Sequence, residues 1–408
     1  MTLEETPQTK KRNVVLIHLE STRARSVTPY NQEVKTTPFL EELANKSLLV
    51  ERAYTTVPRT SKAIISVNCG IQPHLIEKIT EADPNRIPAR GLPDLLKEQG
   101  YASAFFQSST HSFEHFGDLV KNFGYEDYFP MESLDEKHKE KFEWSNYFGY
   151  EDDIMLKPSE EWLKERGDSG PFIAKYLTGT GHHDYRVPSR YGREYFSDDH
   201  LLDAYLNCLR YQDFFVRNVI EQYKELGLYN DTIFVLYGDH GEGFGEHGRF
   251  RHENVIWEEG VRVPLIIHVP GVFDHGQRVG GLSNHTDILP TVLSLLGYEL
   301  KDEQEYPGYS LLGALPVDRT LMFSCFRDEV KGLASLRGDE KYLYHYEDMP
   351  DEFYDLSEDP FEEHNLADER SEEVKERRID LIAWRARVNA LYEGTMFPIK
   401  ESTSALDD

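Results

Sequence analysis

Residues 232–248 read TIFVLYGDHGEGFGEHG, a short apolar run that breaks at once into a loop of glycines, acids and histidines. A run this short and this apolar suits a β-strand buried on both faces. The polar residues after it, Asp239 and His240, then stand at the strand's carboxyl end, the edge of an open α/β sheet where ligands bind. A second run, NVVLIHL at 13–19, has the same character and delivers Glu20, in LESTR, to the same kind of position. A third, PLIIHVPG at 264–271, reads as another buried strand.

Helical segments alternate with these strands. Thr37 to Lys46 (TPFLEELANK) has helical spacing, with Pro38 near the start, where a missing N–H does no harm. Leu92 to Gln99 reads as a helix closed by Gly100 and followed by the strand YASAFFQ. Asp199 to Leu226 reads as a long amphipathic helix closed by Gly227. The alternation predicts an α/β fold, a large mixed but mostly parallel sheet sandwiched by helices. After Gly297 the character changes: LMFSCF, ASLRGDEKYLYHY and DEFYDL read as short strands ahead of a charged helix from Glu372 to Tyr392. The expected organisation is a main domain at 13–300, a small C-terminal sheet-and-helix subdomain at 301–395, and flexible ends at 1–12 and 396–408.

Asp and Glu number 73 against 45 Lys and Arg, a net charge of -28. Such a surface repels nucleic acid and anionic membranes, so an anionic substrate needs a local positive charge such as a metal ion. Cys69, Cys208 and Cys325 are widely spaced and form no metal pattern, which leaves reduced, structural thiols as the expectation. MTLEETPQTKKR carries no signal-peptide core, and no run of about 18 apolar residues predicts a membrane span. As written the chain is expected to be soluble and cytoplasmic, and extracytoplasmic if it is a portion of a longer protein. Its oligomeric state is open.

Two carboxylates and an imidazole at neighbouring strand ends make a hard, mixed oxygen and nitrogen site. Glu20, Asp239 and His240 therefore suit one divalent cation, Mn2+, Zn2+, Mg2+ or Ca2+.

Read in order, several segments resemble the sulfatase branch of the alkaline-phosphatase superfamily. They are NVVLIHLEST, TTPFLEELANKSLLVERAY, YEDD around Asp152, YLTGTGHHDY, the helix and strand leading into GDHGEGFGEHG, WEEGVRVPLIIHVPG, NHTDILPTVLSLLG and EFYDLSEDPFEEHNLA. The resemblance implies an alkaline-phosphatase-like fold and an ester-cleaving or ester-transferring enzyme. In true sulfatases a Cys or Ser opens a C/S-x-P-x-R motif and is oxidised to formylglycine. The matching stretch here is TVPRTSKAIISVNCGIQP. Cys69-Gly70 stands where the family has Thr-Gly, and the family's spacing from that pair places Thr60 at the nucleophile. Lys62 replaces the motif proline and Ile64 its arginine, so formylglycine chemistry is not expected. A threonine nucleophile, together with Glu20-Ser21 at the first metal strand, is similar to lipoteichoic acid synthases and phosphoethanolamine transferases.

The resemblance implies metal ligation by Glu20, Thr60, Asp239 and His240, with Mn2+ favoured, and catalytic contacts from His182 and His252. His183 competes with His182, and Asp184 stands where the family places a proline. Arg59, His183, His247 and His111 are further substrate-binding candidates. Arg59 reads nearly as well as a solvated arginine, His111 and His115 as pocket lining, and Arg23 as structural. Thr60 also suits a helix N-cap. The expected reaction is hydrolysis or transfer at a phosphoester, a phosphodiester or phosphorylated head group, through a covalent phospho-threonine. The rivals are a sulfatase without formylglycine and a catalytically inactive binding relative. The expected partner is a small anionic ester.

Overall fold

The computed structural model describes residues 2–166, 169–301, 306–327, 330–346 and 349–394; the tail at 396–408, expected to be flexible, lies outside the described residues. Among these residues a nine-stranded sheet forms the centre. In spatial order it runs Arg262–Val263, Leu48–Tyr54, Leu265–His268, Thr232–Gly238, Asn13–Leu19, Phe172–Leu177, Ala102–Gln107 and Asp127–Phe129, and Gln277–Asn284 also pairs with Leu48–Tyr54. Leu265–His268 is antiparallel to both neighbours, and Arg262–Val263 is antiparallel to Leu48–Tyr54. The other pairings are parallel, so the sheet is mixed and mostly parallel, as predicted.

Every residue of the Asn13–Leu19 strand is buried, because helices cover both faces. Val14 and Leu16 point into a core shared with Ile64, Ile65 and Val67 of the helix Thr60–Cys69. Val15, Ile17 and Leu19 point the other way, against Phe215, Val216, Val219 and Ile220 of the helix His200–Glu225. That long helix begins where the Asp199 carboxylate accepts the N–H groups of Leu201 and Leu202. The Thr60–Cys69 helix is buried along its whole length and ends at Gly70 with φ 64°, where a Cβ would come within 2.9 Å of the Tyr306 ring.

The C-terminal part holds a four-stranded antiparallel sheet, Thr320–Arg327, Val330–Arg337, Glu340–His345 and Glu352–Asp355, and the helix Ser371–Tyr392. Within the amino end, read as flexible over 1–12, residues 2–9 make ordered contacts. Thr2–Glu5 pairs antiparallel with Tyr298–Lys301, Leu3 joins the core, and the Thr6 and Thr9 hydroxyls both donate to the Gly297 carbonyl at 2.8 Å. A single buried leucine among polar residues gives no periodic signal, and its partner strand is remote in sequence.

Candidate active site

The register of the two central strands builds the site. Leu19 lies opposite Gly238 in a parallel ladder, so the next residues, Glu20 and Asp239, leave the sheet side by side. Ser21, at φ 53°, bridges them: its N–H donates to Asp239 Oδ1 at 2.8 Å and its hydroxyl to Glu20 Oε1 at 2.8 Å. The loop carrying His182 packs directly on top. A Cβ on Gly181 would fall 2.0 Å from the Glu20 carbonyl oxygen, so only glycine allows this approach. Asp152 holds that loop by accepting the Gly179 N–H at 2.7 Å and the Ser108 hydroxyl at 2.8 Å. Burial pushes the Asp152 carboxyl up to about 7 against these bonds.

Thr60 is the first residue of its helix rather than the cap, and its hydroxyl faces the site. Oγ1 lies 3.3 Å from Glu20 Oε2 and 3.3 Å from His240 Nε2. His240 Nδ1–H donates to the Gly241 carbonyl at 2.8 Å, which turns the lone pair of Nε2 toward Thr60. Asp239 Oδ2 lies 3.1 Å from Nε2 of His240 and 3.1 Å from Nε2 of His18, yet is aligned with no hydrogen-bond donor. Burial, then the charge of Asp239, pushes the Glu20 carboxyl well above the usual carboxylate range. For Asp239 burial also acts upward, but the charges of His240 and His18 outweigh it and hold its carboxyl below that range.

Glu20 Oε2 and His240 Nε2 thus compete for the one hydroxyl proton of Thr60, and Asp239 Oδ2 beside them accepts none. A buried surplus of lone pairs and negative charge is what a divalent cation satisfies, so these residues fit one. Two groups of potential ligands lie here, His18 with Glu20 and Asp239, and His240 with Glu242 and His252.

His252 stacks on His240 with centroids 4.0 Å apart, and its Nδ1 lies 3.1 Å from Glu242 Oε2. The His182 ring stands 5.6 Å from His252 and 3.9 Å from His183, and its Nδ1–H donates to the His183 carbonyl at 2.7 Å. Burial, then the neighbouring histidines, pulls both His182 and His252 well below the ordinary imidazole value.

A family model described as Sulfatase matches residues 12–298, well over half of the chain. This chain belongs to the sulfatase family. A second model, N-sulphoglucosamine sulphohydrolase, C-terminal, matches residues 245–383. A lipoteichoic acid synthase-like protein of Bacillus subtilis is 27% identical over 329 residues, 76% of this chain and 51% of that protein. The chain spans about half the length of the curated relatives it matches. A crystal structure of an alkaline phosphatase superfamily protein from Vibrio parahaemolyticus superposes with a TM-score of 0.76 at 20% identity, covering 97% of this chain and 90% of that one. The lipoteichoic acid synthase LtaP of Listeria monocytogenes superposes with a TM-score of 0.72 at 18% identity, covering 95% and 96%. The fold is alkaline-phosphatase-like, as expected.

Within this sulfatase-family site the other candidates are placed differently. Arg59 is engaged: Nε lies 2.6 Å from Glu114 Oε1, and an Nη donates to the Glu77 carbonyl at 3.0 Å. His247 points toward the C-terminal sheet, with Nδ1 2.6 Å from Glu259 Oε1 and its ring stacked on Trp257. His111 is exposed and pairs with Glu132 at 3.1 Å. His183 sits at the rim with its centroid 5.6 Å from the Tyr147 ring. Three residues at the site were not singled out from sequence: His18, hidden inside an apolar strand; Glu242, within DHGE; and Glu114, on a distant loop.

Proposed function

We propose that the chain cleaves or transfers a phosphoester, a phosphodiester or phosphorylated head group, through a covalent phospho-threonine at Thr60. The observation that carries this reading is the Thr60 hydroxyl set 3.3 Å from both Glu20 Oε2 and His240 Nε2. Glu20, Asp239 and His240 would hold one divalent cation, Mn2+ favoured, with Thr60 at its open side. Such a cation lowers the cost of ionising a nearby hydroxyl and offsets charge on phosphoryl oxygens. The helix Thr60–Cys69, buried along its length, fixes the hydroxyl for attack on phosphorus. His182 and His252, with Nδ1 turned to the His183 carbonyl and the Glu242 carboxylate, would meet the phosphoryl oxygens and the leaving oxygen through Nε2, each ring taking up a proton there when the anionic substrate binds. Water or an alcohol then displaces the phosphoryl group from Thr60.

A hydroxyl nucleophile and the lack of a C/S-x-P-x-R motif favour a phosphoester over a sulfate ester. Parallel assays with an aryl sulfate, an aryl phosphate and a bis-aryl phosphodiester in Mn2+ test this. Turnover of a phosphoester that is lost in Thr60→Ala supports the reading. Preferential sulfate release overturns it, and no turnover of any ester favours a binding role.

A further inference from the structure

The carboxylate of Glu114 is bound at the amino end of the nucleophile helix. One oxygen lies 2.6 Å from Arg59 Nε, and the other accepts the backbone N–H of Ser61 at 2.7 Å. Arg59 and Ser61 flank Thr60, so the carboxylate spans the nucleophile's own two neighbours. Both side chains of the ion pair are largely buried, 17% exposed for Arg59 and 12% for Glu114. The loop that delivers Glu114 is held in an unusual conformation, with φ 44° at Glu114 and 58° at His115. Burial acts to raise the Glu114 carboxyl, but Arg59 and the Ser61 bonds outweigh it and keep it ionised. Its charge also reaches the catalytic cluster, acting on both Glu20 and His252.

Two further cations near Thr60 and Glu20 in sequence are similarly engaged, Lys62 with Glu81 at 2.9 Å and Arg23 with Glu246 at 2.6 Å. A guanidinium and a helix N-terminus beside a nucleophile would ordinarily favour a doubly charged anion. Here a protein carboxylate already takes both.

We infer that Glu114 is a specificity-determining residue that adapts the site to singly charged phosphodiesters and excludes doubly charged phosphomonoesters. The inference deepens the phosphoester reading and rests on it. The Glu114 carboxylate repels the extra charge of a monoester dianion, while a diester monoanion feels that repulsion half as strongly.

The test compares kcat/KM for p-nitrophenyl phosphate and bis(p-nitrophenyl) phosphate at pH 8 in Mn2+. Four proteins are compared: wild type, Glu114→Gln, Arg59→Gln and the double variant. The wild type should prefer the diester. Glu114→Gln keeps the shape and one acceptor but leaves Arg59 uncompensated, so the monoester-to-diester ratio should rise by about tenfold or more. Arg59→Gln should lower the ratio, and the double variant, which restores local neutrality, should return it toward wild type. A purely structural cap would lower both activities together and leave the ratio unmoved, which overturns the inference. Inhibition of diester turnover by inorganic phosphate gives a second readout and should tighten in Glu114→Gln. If Glu114→Gln fails to fold, the ratios of Arg59→Gln and the double variant decide the matter. A wild type inactive on both esters overturns the phosphoester reading and the inference with it; an active wild type with unchanged ratios overturns the inference alone.

Discussion

His18 Nε2 lies 3.1 Å from Asp239 Oδ2, and His18 Nδ1 lies 3.2 Å from the Tyr237 hydroxyl, all within the core. The ring thus stands against the same Asp239 oxygen that His240 Nε2 approaches at 3.1 Å. Groups that orient a metal-binding carboxylate typically change metal affinity by about 10–100-fold when removed. His18→Ala should weaken divalent-cation binding by that order, measured calorimetrically with Mn2+, while the fold persists. Unchanged affinity would remove His18 from the site.

Cation binding should also appear as stability. The native site gathers the buried Glu20 and Asp239 carboxylates beside the His240 ring, whereas an unfolded chain disperses them. A ligand that binds only the native state stabilises it by about 2.7 kcal/mol at a hundredfold excess over its Kd. Mn2+ should therefore raise the Tm and a chelator should lower it. Glu20→Gln should lose most of the Mn2+ response. An equal response in that variant would place the cation elsewhere.

A buried ion triad ties Glu258 and Glu362 to the Glu340–His345 strand of the C-terminal sheet. Lys341 Nζ lies 3.0 Å from Glu258 Oε1 and 2.9 Å from Glu362 Oε1, and the Tyr54 hydroxyl donates to Glu258 Oε2 at 3.0 Å. Lys341→Met leaves the buried Glu362 without its counter-charge and Glu258 with Arg262 alone, at 3.7 Å. Breaking a buried pair from one side costs about 3–5 kcal/mol, so a large fall in Tm is expected. A loss within experimental error would show that water reaches these carboxylates.

His247 supplies a pH dependence. Burial acts to lower its pKa, but the hydrogen bond and charge of Glu259 outweigh burial and the net shift is upward. A folded pKa above the unfolded one means that the protonated form stabilises the native state. That contribution is fully present below the unfolded value of about 6.5 and is lost as pH rises through the elevated folded value. The Tm difference between wild type and His247→Gln should be largest at the acid end and shrink as the solution becomes alkaline. A difference that grows with pH would contradict the assignment.

The sequence displayed the strands Asn13–Leu19, Ala102–Gln107, Thr232–Gly238 and Leu265–His268 because they are buried on both faces and read as apolar runs, whereas the partly exposed Gln277–Asn284 and Asp127–Phe129 gave no such signal. For the same reason Glu20, Asp239 and His240 stood out, as polar residues terminating such runs. His18 did not: one histidine inside NVVLIHL looks like any strand residue until the side-chain alternation places it beside Tyr237. Glu114 was also illegible, since its role arises from a loop folding back on the start of a helix 53 residues earlier in the chain. Arg59 was noticed for its charge, but its partner Glu114 was not, so its engagement could not be foreseen. The pairing of Thr2–Glu5 with the far end of the domain was hidden for a similar reason, because contacts between remote segments leave no local periodicity.

The central claim is that Thr60 carries the phosphoryl group. Rapid acid quenching during turnover of a phosphodiester in Mn2+, followed by peptide mass spectrometry, tests it most directly. The account predicts one added phosphoryl group on the peptide containing Thr60, absent in Thr60→Ala, which should also lose turnover. A phosphoryl group on another residue, or full turnover by Thr60→Ala, would contradict it.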